Sequence, residues 1–85
     1  MDYSTTIDFA KEIKNIIDNY WNLGLSKEQM VERISVLFNS SNNRGLALRG
    51  TLFCSSFAKI LGKKRLNTLK ETLKSIDTDM YSALN

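Results

Sequence analysis

The sequence predicts an all-α fold: a small single-domain bundle of about four helices over residues 1–85, with a helical hairpin in its C-terminal half. Three observations predict it. Apolar residues recur at gaps of three and four through four separate segments, rather than at the gap of two that a half-buried strand needs. Those segments open on capping residues or close on Gly. With 42% hydrophobic residues the chain can bury a core, although at 85 residues a modest one.

The first helix is expected from about Thr6 to Asn22. Thr5 or Ser4 can cap it, and Asp8 sits favourably beside the positive end of the helix dipole. At 100° per residue, Phe9, Ala10, Ile13, Ile16, Ile17, Tyr20 and Trp21 share one arc. Gly24 is expected to end the helix in a left-handed conformation.

Ser26 and Gln29 have the spacing of a capping box, and Leu25 with Met30 that of a hydrophobic staple. Met30, Val31, Ile34, Leu37 and Phe38 then make one face, with Val36 opposite and exposed. The run from Asn39 to Gly45, rich in Asn and Ser and without an apolar residue, is expected to be a loop. Residues 46–50 fit either a helical extension or an extended connector.

Thr51 is the expected N-cap of a third helix carrying Phe53, Phe57, Ile60 and Leu61 and ending at Gly62. A fourth begins near Lys64. Its apolar residues Leu66, Leu69, Leu73, Ile76 and Met80 have heptad spacing, which makes them a candidate homodimer interface. Asp77-Thr78-Asp79 can break that helix and start a short final turn. The expected core is Ile13, Ile16, Ile17, Ile34, Phe38, Phe53, Phe57, Ile60, Leu69 and Leu73.

Charge is distributed unevenly. Between Arg33 and Lys70 there are eight basic residues and no Asp or Glu, although net charge is only +3. Such a block attracts a polyanion: nucleic acid, an acidic protein partner or an anionic membrane surface. The last is the weakest, because the basic residues do not form one face of a strongly apolar helix. The candidate anion-binding residues are Arg44, Arg49, Lys59, Lys63, Lys64, Arg65, Asn67 and Lys70. Lys63-Lys64-Arg65 at a helix start opposes the dipole, a local cost that favours an external anion as the reason for the triplet. Tyr20 and Trp21 are a candidate protein interface, with core-and-rim packing as their plainer role.

Other chemistry is poorly represented. His is absent and Cys54 is alone, which removes the usual catalytic base, nearly every zinc arrangement and any internal disulfide. The four scattered Gly make no phosphate loop. The expectation is a non-enzyme without cofactor or metal. No apolar run approaches a membrane span, and the acidic start Met-Asp-Tyr-Ser argues against a secretory signal, so the expected compartment is the cytoplasm.

Residues 53–73 resemble a helix-turn-helix. Ala58 matches the small residue of the first helix, Gly62 the turn glycine and Leu61 the apolar position before it. The resemblance implies that Lys63, Lys64, Arg65 and Asn67 face a major groove. Lys63 departs from the apolar residue usual after the glycine, and Leu66 and Leu69 come about two places early. A second resemblance covers Ile13 to Leu73. Tyr20-Trp21, the Ser-Lys-Glu helix start and the Leu-Gly-Lys-Lys-Arg-Leu run are similar to a family of short uncharacterised bacterial proteins. That family implies no activity. The functional expectation is therefore a small nucleic-acid-associated or regulatory protein; the alternative is a protein-interaction module, a helical adaptor or inhibitor.

Overall fold

The computed structural model describes residues 2–84. It contains six helices: α1 (Thr6–Trp21), α2 (Lys27–Phe38), α3 (Ser41–Ala47), α4 (Ser55–Leu61), α5 (Lys63–Ile76) and α6 (Thr78–Tyr81). A minimal antiparallel hairpin, β1 (Leu48–Arg49) with β2 (Leu52–Phe53), lies between α3 and α4.

The first helix is central and packs against α2, α3, α4 and α5. Its buried side is wide: Phe9, Ala10, Ile13, Ile16 and Ile17 are all enclosed. The Phe9 ring meets Tyr3, Phe38 and Phe57 at centroid distances of 5.5, 5.1 and 5.8 Å. Such tilted pairs add to the stabilisation from burying the rings. Thr5 caps this helix by accepting from the Asp8 N–H, and Ser26 with Gln29 forms the full capping box of α2. Val36 is exposed, as its phase requires.

Several expectations need correction. The left-handed residue after α1 is Leu23 (φ +64°), not Gly24. The Leu23 N–H donates to the Tyr20 carbonyl and the Gly24 N–H to that of Asn19, the paired bonds of a Schellman motif. Gly24 makes a close approach there, since a Cβ would lie 3.3 Å from the Asn19 carbonyl oxygen, a tight contact.

The expected loop at Asn39 to Gly45 is largely α3. Ser40 caps it, and a polar side chain expected to compete with the backbone is instead buried. Asn43 accepts from the Tyr3 N–H at 2.9 Å and donates to the Leu37 carbonyl at 3.0 Å.

Thr51 is not an N-cap. It forms the hairpin turn with Gly50 (φ +63°), a conformation that favours Gly. Cys54 stands at the N-cap of α4 without a side-chain bond, its N–H donating to the Ala47 carbonyl. Phe53 therefore lies on a strand, half-buried and stacked on Phe57 at 5.6 Å, and Ile60 is also half-buried. The other eight expected core residues are buried, joined by Phe9, Met30, Leu61, Tyr81 and Leu84 among others.

Of the heptad-spaced residues, Leu69 and Leu73 are fully buried within the chain itself. Leu66 and Ile76 are half-buried against the same core. Met80 belongs to α6, which Asp77 caps through the Met80 N–H, and is exposed.

Candidate nucleic-acid interface

Only Gly62 separates α4 from α5. Its backbone (φ +80°, ψ 164°) lies in a region essentially restricted to Gly. This lets the chain turn with no further linker, so Lys63 is already the first residue of α5. The first turn of α5 has no acidic residue and no side-chain cap. Three cations therefore begin the helix at its positive pole.

One of the three is accounted for internally. Arg65 Nε lies 2.7 Å from Asp18 Oδ1 and Nη2 lies 3.3 Å from Oδ2, while Nη1 donates to the Leu61 carbonyl at 2.9 Å. Its guanidinium also lies over the Trp21 ring, 5.7 Å from the centroid. This is the only ion pair among the described residues. Arg44 is likewise committed, donating to the Phe38 and Asn39 carbonyls at the end of α2. Arg65 and Arg44, both among the anion-binding candidates by charge, thus have internal hydrogen-bond partners.

The remaining cations divide by location. Lys59, Lys63 and Lys64 are exposed and Lys70 is half-buried. None has an ion-pair partner among the described residues. At 100° per residue, Lys63, Asn67, Lys70 and Lys74 fall within roughly 60° of one another. That stripe runs about 16 Å along α5, away from Leu69 and Leu73. Lys74 was not among the sequence candidates. Its signal was the 4-3-4 spacing from Lys63, visible once the helix is phased by its leucines. Arg49 is exposed in the hairpin. Arg33 lines a different groove, with Glu12 and Glu32 between α1 and α2.

Tyr20 is half-buried, and Trp21 remains 43% exposed. Among the described residues no group of His, Cys, Asp or Glu is placed to hold a metal ion, and no helix is long and apolar enough to cross a membrane.

A family model described as "Conserved hypothetical protein" matches residues 1–74. The chain belongs to that family. The matched span takes in the lysine stripe through Lys74 and leaves α6 outside it. No curated protein and no solved structure matches the chain.

Proposed function

We propose that this is a small, non-enzymatic cytosolic protein that binds nucleic acid through the outer side of α5 and Lys59. The observation that carries the reading is the set of lysines at positions 59, 63, 64, 70 and 74, none of them ion-paired among the described residues. Glu71 is the one carboxylate of α5. Lysines without ion-pair partners attract phosphates and release counterions on binding. Lys63, Lys70 and Lys74 share one face of α5, with Lys64 at its side and Lys59 on α4. The order α4–Gly62–α5, with Asn67 inside the stripe, is compatible with the helix-turn-helix resemblance. The single-residue link is shorter than the three or four residues usual there.

The test is a salt-titrated binding assay on the parent and on a Lys63→Ala/Lys64→Ala/Lys70→Ala variant, with mixed-sequence duplex and single strands. Arg65 is left intact because its loss would break the Asp18 pair. The variant should bind more weakly. Its salt slope should shrink by about 0.9 for each duplex phosphate no longer neutralised, or about 0.7 on a single strand. Asn67→Ala separates base reading from plain electrostatics, since only base reading changes sequence preference. Equal binding by parent and variant, or no binding by the parent near physiological salt, would overturn the reading.

A protein partner is the second reading. It is favoured by an open groove of about 520 Å³ on the outer side of α2, where Val31, Val36 and Ile76 are rimmed by Glu28 and Glu32.

A further inference from the structure

In sequence the aromatic pair at the end of α1 is separated from the basic block; the fold brings them together. A groove of about 260 Å³ lies where α1, α2 and α5 meet. Tyr20, Trp21 and Lys27 are on one side, and Thr68, Glu71 and Ser75 of α5 on the other. Its chemistry is specific in three ways.

First, the indole is held in place. Asp18 grips Arg65 with two hydrogen bonds, and Arg65 lies over Trp21. Trp21 lines the groove and Arg65 does not. A ring held this way loses little freedom when a ligand stacks on it.

Second, the α5 wall accepts hydrogen bonds. The Thr68 hydroxyl donates to the Lys64 carbonyl, and that of Ser75 to the Thr72 carbonyl. With their protons committed, these oxygens are left as acceptors beside the Glu71 carboxylate. Such a wall suits a flat ligand bearing amino groups.

Third, the groove leads toward unpaired positive charge. Lys64 lies one turn before Thr68 on the same side of α5, and Lys63 precedes it, about 100° further round the helix. Neither has an ion-pair partner among the described residues.

A flat, amino-bearing ring followed by an anion is a nucleotide. We propose that this groove stacks a base of single-stranded nucleic acid on Trp21 while the adjoining phosphates lie on Lys63 and Lys64. This rests on the nucleic-acid reading above and adds the strand state and the stacking residue. Bases in a duplex are already stacked and paired, so a groove of this kind selects the single strand.

Trp21 is the only tryptophan in the chain, so its fluorescence reports on the groove directly. The experiment titrates the full chain with a 12-nucleotide oligo(dA) and with the same strand annealed to oligo(dT). The single strand should quench Trp21 saturably, and the duplex should not. In anisotropy measurements with a labelled oligo(dA), Trp21→Ala should weaken binding about tenfold, the effect of losing one stacked base. Trp21→Phe should keep most of the affinity, and circular dichroism checks that both variants fold.

If the strand binds with a steep salt slope but Trp21 is not quenched, the groove assignment is overturned and the lysine reading stands. Equal binding by the parent and Trp21→Ala has the same consequence. If neither strand form binds, both readings fall. Should Trp21→Ala fail to fold, parental quenching and the Trp21→Phe affinity decide the matter.

Discussion

Asp18 and Arg65 stand 47 positions apart and are joined by a two-pronged ion pair, with Nε 2.7 Å from Oδ1 and Nη2 3.3 Å from Oδ2. The pair ties the last turns of α1 to the first turn of α5 and fixes the guanidinium over Trp21. It also removes one positive charge from a helix start where three would repel one another. Both side chains are partly exposed, at 28% and 30%, so solvent screening limits what the pair contributes. A double-mutant cycle over Asp18→Ala and Arg65→Ala should give a coupling of about 1 kcal/mol or less. Arg65→Lys should lose much of it, because an ammonium cannot match both carboxylate oxygens.

Leu23 holds the left-handed position after α1 at φ +64° with 91% of its surface exposed. Its side chain contributes almost no burial there, and the backbone conformation is costly for any residue with a Cβ. Leu23→Gly should therefore stabilise the protein by about 1 kcal/mol. For a domain of this size that is a rise in Tm of about 4–8 °C, measurable by thermal unfolding.

Gly62→Ala should have the opposite effect. The nearest atom to an added Cβ is Arg65 Nη1 at 3.9 Å, so space is available, but φ +80° with ψ 164° is not accessible without strain. The expected loss is about 1–3 kcal/mol by urea unfolding. A loss near zero would show that the α4–α5 corner can relax.

Asn43 joins the N-terminal segment to the end of α2 through the Tyr3 N–H and the Leu37 carbonyl, within the core. Asn43→Ala leaves both groups without that partner and should cost about 1–3 kcal/mol for each one left buried and unpaired. Urea unfolding gives the loss, and amide hydrogen exchange should show faster exchange at Tyr3.

Stability should decline in alkali. Burial raises the Tyr3 phenol above its ordinary value of 10.0, and the Glu12 carboxylate that accepts its hydrogen bond raises it further. Burial also raises Tyr81, where the Arg44 charge opposes the shift and the Asp77 charge adds to it. The folded state thus keeps protons that the unfolded chain releases above about pH 10. The contribution is fully present below that pH and is lost as pH rises through the raised folded values. A Tyr3→Phe/Tyr81→Phe variant should show a smaller fall in its urea midpoint between about pH 9 and 11 than the parent.

The features legible in the sequence alone were local. The Thr5 cap of α1, the Ser26–Gln29 box of α2 and the Asp77 break before α6 each depend on side chains within three residues of the backbone group they serve. The apolar faces of α1, α2 and α5 follow from the same short-range periodicity. Packing of the whole chain settled what depends on residues brought together from afar. The polar run from residue 39 to 45 is largely helix, and there Asn43 is buried against Tyr3, 40 positions away in sequence, which no local pattern contains. The leucines of α5 face the chain's own core because α1 and α2 cover them. The basic block divides in the same way. Arg44 and Arg65 are drawn inward by carbonyls and by Asp18, while the lysines remain without ion-pair partners among the described residues. A charge's sign is written in the sequence, but whether it is neutralised depends on which groups folding places within hydrogen-bond reach.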